Sequence, residues 1–91
     1  MRALTLFVLA FTIPGVTIAQ SASDLAYKRC DEAKGSVDQV VAICTESLKE
    51  KSLTVRTRAR LHAIRGNAYS RDGDLQKAMT EYNESLRVDP Q

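Results

Sequence analysis

The chain of 91 residues has no tryptophan, one histidine, two cysteines, two prolines and four glycines. Its aromatics are three tyrosines and two phenylalanines, and both phenylalanines (Phe7, Phe11) lie ahead of Gln20. So few aromatics exclude a deep aromatic cofactor pocket. The single histidine, His62, has no Ser/His/Asp or Cys/His arrangement around it that would activate a nucleophile. Two cysteines and one histidine do not make the usual four-ligand zinc site, and the Cys-x-x-Cys spacing of a catalytic dithiol is missing. Asp72 and Asp74 flank Gly73, but no calcium-loop spacing follows. No glycine-rich phosphate loop is present. No residue reads as catalytic, no metal or cofactor is expected, and the chain does not read as an enzyme. An excess of charge of one sign is also lacking. Thirteen basic and 11 acidic residues leave a net charge of +2, which gives no electrostatic case for nucleic acid.

What is present begins with an N-terminal leader pattern. Met1-Arg2 is followed by an uncharged apolar run from Ala3 to Ile13, a Pro14-Gly15 break, and the small residues Thr17 and Ala19 before Gln20. This is the three-part layout of a secretory signal peptide over residues 1–19. The apolar run is short of the roughly 20 residues a membrane-spanning helix needs, so the mature form carries no membrane segment. It is expected in the periplasm or outside the cell. The leader holds a disproportionate share of the chain's hydrophobic residues, and the mature chain from Gln20 to Gln91 is small. A domain of that size rarely gains more than about 3–5 kcal/mol from its core alone. It needs a staple, a partner or more chain.

Secretion makes Cys30 and Cys44 a candidate disulfide, since an even cysteine count in an oxidising compartment usually means a bridge. Closing the short segment they enclose is worth about 3 kcal/mol in the chain-entropy view. Two unpaired buried thiols are the alternative.

Apolar residues recur at spacings of three and four, and alternation of period two is weak. Four helices are expected. The first covers Asp24 to Lys34, capped by Ser23 and ended by Gly35. The second covers Ser36 to Lys51, with Val37, Val40, Val41, Cys44 and Leu48 inward. The third covers Thr54 to Arg71, with Ala59, His62, Gly66 and Tyr69 on one side. After the turn at Asp72-Gly73-Asp74, the fourth runs to Val88, with Leu75, Ala78, Met79, Tyr82 and Leu86 inward and Met79 filling a core gap. The short turn at Gly35-Ser36 makes the first two helices antiparallel neighbours, with both cysteines on facing stripes.

Sliding the chain along itself until Gly35 meets Gly73 also brings Val37 onto Leu75, Val40 onto Ala78, Val41 onto Met79 and Cys44 onto Tyr82. In the same register Glu46-Ser47-Leu48 falls on Glu84-Ser85-Leu86. The second and fourth helices are therefore one element repeated, and the chain is two helical hairpins in tandem. The second hairpin carries Gly66 and Tyr69 three apart, Ala78 twelve after Gly66, Tyr82 four further on and Pro90 eight beyond that. That pattern resembles the tetratricopeptide repeat over residues 59–91. Gly66, Ala68 and Ala78 are small enough for two helices to approach closely, Tyr69 and Tyr82 fill the space between layers, and Pro90 stops the helix. His62 and Arg65 depart from the pattern, standing where the family usually has large apolar residues. The first hairpin is a degenerate copy.

The resemblance implies an all-α, TPR-like α-solenoid of two antiparallel hairpins in residues 20–91, with a degenerate hairpin at 23–52 and a well-matched one at 54–91. Signal peptide, cysteine-bearing hairpin and clean repeat together resemble small exported repeat proteins of Gram-negative bacteria. The family's usual binding surface is the concave face, which would place Arg60, Ala63, Asn67 and Arg71 toward a protein or peptide partner. Asn67 matches a position that in some members holds a peptide's terminal carboxylate. The expected function is a protein-interaction module or scaffold. The alternative is the N-terminal or capping piece of a longer repeat array, with a structural role only. Charge is uneven along the chain. Residues 49–65 hold six basic residues and one acid, and residues 72–91 hold five acids and two bases. Solvated helix faces account for this in the simplest reading; a basic patch for an acidic peptide is the other. Helix four is expected to leave an apolar face that more chain, another copy or a partner covers, so self-association through it is a further expectation.

Overall fold

The computed structural model describes residues 18–91. The signal-peptide reading of residues 1–19 lies outside them except for its last two positions, which begin the first helix. Four helices make up the described chain, with no strand among them: α1 (Ile18–Asp31), α2 (Val37–Ser47), α3 (Val55–Arg71) and α4 (Leu75–Val88). None is long and apolar enough to cross a membrane.

Local chemistry sets most boundaries. Ahead of α2, the Ser36 hydroxyl accepts from the Gln39 N–H at 3.2 Å while the Gln39 side chain accepts from the Ser36 N–H at 2.8 Å. This reciprocal capping box satisfies two orphan donors of the first turn. Thr54 caps α3 through the Thr57 N–H at 3.1 Å, and Asp74 caps α4 through the Lys77 N–H at 3.1 Å. Between them, the Gly73 N–H bonds to the Ser70 carbonyl and the Asp74 N–H to the Tyr69 carbonyl. That pair of bonds is the Schellman ending, which needs a left-handed residue; Gly73 supplies it at φ +83°. Gly35, in the turn between α1 and α2, also has a positive φ, +117°.

Three boundaries differ from the sequence expectation. α1 ends at Asp31 rather than Lys34, the Ala33 N–H turning back to the Cys30 carbonyl three residues earlier, so Gly35 lies beyond its end. α1 begins at Ile18 rather than Asp24, so Ser23 is an interior residue and not its cap. Ser23 is fully buried, and its hydroxyl accepts the Thr54 N–H at 3.1 Å. A serine with a tertiary partner is tolerated mid-helix, and this one joins α1 to the start of α3. α2 stops at Ser47 rather than Lys51, because the following N–H groups of Lys49 and Glu50 turn back to carbonyls three residues earlier.

α1 with α2 and α3 with α4 form two hairpins. In the second, Ala59 meets Ser85, Gly66 meets Tyr82 and Tyr69 meets Lys77, a falling register that makes α3 and α4 antiparallel. α3 also packs on both α1 and α2, whereas α4 touches α3 and no other helix of the described chain. The core therefore lies between the first hairpin and α3. Cys30, Val40, Cys44, Leu61 and Ala68 are buried there, with Tyr27, Val37, Val41, Leu48, Leu53 and Ile64 packed around them.

Of the eight buried hydrophobic residues, four are alanines. The apolar area removed from water is correspondingly small, which leaves weight for a covalent link. Cys30 and Cys44 are disulfide-bonded, with their Cα atoms 4.6 Å apart. The second hairpin meets the same demand differently. Tyr82 is the repeat equivalent of Cys44, and its ring lies on Gly66. A Cβ on Gly66 would come within 2.8 Å of that ring and within 3.1 Å of the Glu81 Cβ.

The outer side of α4 corrects the sequence reading. Leu75, Met79 and Leu86, expected inward, are 63%, 62% and 61% exposed. Met79 fills no core gap. The stripe that faces α3 is Ala78, Glu81, Tyr82 and Ser85, rotated away from the apolar one, and nothing in the described chain lies beyond α4.

Reducing the disulfide, or replacing both cysteines by serine, lowers stability by about 3 kcal/mol. Thermal unfolding should show this as a Tm lower by roughly 10–20 °C; an unchanged Tm would refute the staple. Gly66→Ala gains helix propensity worth about 1 kcal/mol but overpacks the Tyr82 contact. We expect a net loss of about 1–3 kcal/mol, read from denaturant midpoints against Gly73→Ala as the turn control.

Candidate partner-binding face

α3 carries a polar stripe that is largely open to solvent. Residues 56, 60, 63, 67 and 71 follow one another at intervals of three and four, which places them on one face of a helix. Arg56, Arg60, Asn67 and Arg71 are exposed and Ala63 is half-buried. The four site residues expected from sequence thus share a surface, and Arg56 extends it by a turn.

The tertiary structure adds a partner to Arg60. Its guanidinium lies over the Tyr27 ring, 4.3 Å from the centroid, and also donates to the Tyr27 hydroxyl at 2.9 Å. A cation over an aromatic face is attracted by the ring quadrupole, and here the contact joins α1 to α3 across the two hairpins. Asn67 accepts the Tyr82 hydroxyl at 2.5 Å through Oδ1, which leaves its two N–H donors for another partner. Among the described residues, Arg56, Arg60 and Arg71 make no ion pair. At the Arg56 end the stripe opens into a groove of about 460 Å³, with Arg56, Arg60 and Ala63 on one wall and Ser85, Leu86 and Asp89 on the other.

The residues of the repeat pattern hold this face in place. Gly66 and Ala78 are buried at the α3–α4 contact. Tyr69 and Tyr82 are half-buried, with the Lys77 ammonium 5.4 Å from the Tyr69 ring centroid. Pro90 follows the α4 C-cap, Asp89.

The two departures from the pattern turn out to be one feature. His62 Nδ1 lies 2.8 Å from Glu81 Oε1, and Arg65 contacts Glu81 Oε2 through Nη2 at 2.8 Å and Nε at 3.0 Å. Arg65 also donates to the Thr45 hydroxyl at 2.9 Å, and that hydroxyl donates to the Val41 carbonyl at 2.7 Å. The network runs from α2 through α3 to α4 and is largely shielded from solvent. His62 is therefore a member of a polar cluster rather than a hydrophobic packing residue. Nothing in the sequence spacing pairs Arg65 with both Thr45 and Glu81. The only hint of a shared partner was that histidine and arginine replace apolar residues one helical turn apart. On the outer side of α4, the hydrogen bond from Arg87 holds the Glu84 carboxyl below its ordinary pKa, so that acid is already neutralised locally.

Chemically the α3 face offers guanidinium and amide donors beside an aromatic ring, a set suited to carboxylates and to backbone carbonyls. No cluster of three metal-ligating side chains occurs among the described residues. Comparison with protein-family profiles, with curated proteins and with solved structures finds no match to this chain.

Glu81→Ala strands the Arg65 charge and the His62 ring. It should lower stability by about 1–3 kcal/mol, whereas Lys49→Ala at the exposed Lys49–Glu46 pair should change it by less than about 1 kcal/mol. Equal effects in chemical denaturation would show that the network contributes no more than a surface pair.

Proposed function

We propose that the protein is an exported, TPR-like interaction module that binds a protein or peptide through the α3 face. The observation that carries this reading is the row of Arg56, Arg60, Asn67 and Arg71, exposed on one stripe, with its arginines in no ion pair of the described chain. An unneutralised basic stripe on a helix favours a ligand with carboxylates, either acidic side chains or a chain terminus. Arg60, already ordered over Tyr27, would lose little side-chain entropy on binding.

The repeat spacing from Gly66 to Pro90 supports the TPR-like reading, and the disulfide supports export, since such bonds persist in oxidising compartments. The groups the stripe offers, donors beside an aromatic ring, support a binding role.

The test is capture from periplasmic extract with the immobilised protein, followed by titration of the captured partner's acidic or C-terminal peptide. The double variant Asn67→Ala/Arg71→Ala should keep its helix content and bind about tenfold or more weakly, the loss expected for charge-assisted hydrogen bonds. Unchanged affinity in that variant and in Arg60→Ala would sink the assignment of this face.

A further inference from the structure

The disulfide belongs to the surface on which α3 rests. Cys30 and Cys44 share one buried cluster with Leu61 and Ala68 of α3. Leu61 follows Arg60 in the chain and Ala68 follows Asn67. The residues that sit on the bond are thus the immediate neighbours of two residues of the exposed stripe.

Four polar contacts join the first hairpin to α3 among the described residues. Two hold the start of α3: the Ser23 hydroxyl accepts the Thr54 N–H at 3.1 Å, and Arg58 donates to the Leu48 carbonyl at 3.5 Å. The other two lie closest to the cysteines. Tyr27, three residues before Cys30, carries the Arg60 guanidinium 4.3 Å from its ring centroid and accepts from it at 2.9 Å. Thr45, the residue after Cys44, accepts from Arg65 Nη1 at 2.9 Å. Arg60 stands on the stripe, and Arg65 holds Glu81 of α4. Tyr27 is on α1 and Thr45 on α2, so the bond that joins these helices also sets the spacing between the supports of both arginines.

Little else fixes that spacing. The buried hydrophobic residues of α1 and α2 are Ala26, Cys30, Val40 and Cys44. Two of these are the bridge itself, and Ala26 brings a single methyl group. The apolar area that would hold α1 on α2 without the bond is therefore small.

From these contacts we infer that the Cys30–Cys44 bond is a redox control on the α3 face. With the bond made, Tyr27 stays beneath Arg60 and Thr45 beside Arg65. With it reduced, the helices persist, but both supports drift and the face binds more weakly. This regulation rests on the peptide-binding reading of α3 proposed above. The step is reduction by a dithiol: the S–S bond breaks, the dithiol is oxidised to its own disulfide, and its two protons pass to the cysteine sulfurs. Both cysteines are buried, at 1% and 0% exposed, so a reductant reaches them only when α1 and α2 part. Coupling between two sites is reciprocal. Whatever holds Arg60 on Tyr27 therefore also protects the bond.

The test compares the purified full chain before and after reduction with dithiothreitol, with helix content followed by circular dichroism. In the oxidised form the Arg60 side-chain protons, lying over the Tyr27 ring, should resonate upfield of their ordinary positions by NMR, a shift absent in Tyr27→Leu. Reduction should abolish the shift while helix content is kept. A reduced, helical chain that retains it overturns the inference. The rate at which dithiothreitol reduces the oxidised chain gives a second readout, which holds even if the reduced product unfolds. Arg60→Ala and Thr45→Val should each speed reduction about fivefold or more, the low end of ordinary coupling between sites. Arg56→Ala, on the same stripe but off the Tyr27 ring, should not. Equal rates in all three variants and the wild type overturn the inference. In binding, an end-blocked oligoglutamate peptide should be held about fivefold or more tightly by the oxidised form. That difference should shrink in Tyr27→Leu, whose support is already gone. A difference of the same size in Tyr27→Leu overturns the inference, because the bond would then act through overall stability alone. Should oligoglutamate bind neither form, the peptide reading of the face fails, and the Arg60 shift and the reduction rates still decide the coupling.

Discussion

The structure depends on how closely the two helices of each hairpin can approach, and the chain solves that problem twice with different chemistry. In the first hairpin the contact is covalent, with the Cys30 and Cys44 backbones 4.6 Å apart at Cα. In the second, the absence of a side chain at Gly66 lets the Tyr82 ring lie directly on the helix. Cys44 and Tyr82 are the same position of the internal repeat. A small core dominated by alanine cannot hold two helices together by buried area alone. A bond in one place and a ring on glycine in the other bring the backbones near enough for short side chains to matter.

α3 is the element on which everything else is hung. It packs on α1, α2 and α4, and its faces are divided among separate tasks. Leu61 and Ala68 complete the core, Gly66 receives Tyr82, and His62 with Arg65 holds Glu81. The remaining face is the polar stripe from Arg56 to Arg71. The contacts that orient the stripe come from outside it. Tyr27 on α1 supports Arg60, and Tyr82 on α4 fixes the Asn67 amide. A surface positioned by both hairpins is more rigid than one carried by a single helix, because neither hairpin can shift without breaking a contact to it.

Much of the fold was legible in local sequence. The capping box at Ser36 and Gln39, the caps at Thr54 and Asp74 and the Schellman ending at Gly73 are decided within a few residues, and the helices that depend on them lie close to where the sequence put them. The start of α1 was not legible. Ser23 looks like a cap, and only the Thr54 N–H, 31 residues away, shows why it is tolerated inside a helix. The polar cluster was hidden for the same reason. His62 and Arg65 read as departures from an apolar pattern until Glu81 and Thr45 are seen beside them.

The amino-acid sequence by itself determined four helices, their turns, the internal repeat and the residues that share each helical face, since these follow from spacing and from capping bonds made within one turn. It grouped Arg60, Ala63, Asn67 and Arg71 on a face, because periodicity is a property of a single helix. Only the tertiary structure decided which faces are covered. Leu75, Met79 and Leu86 form as good an apolar stripe as Val37, Val41 and Leu48, yet the first set lies in solvent and the second against the core. Burial depends on whether another helix arrives, and a helix's own sequence carries no information about its neighbour.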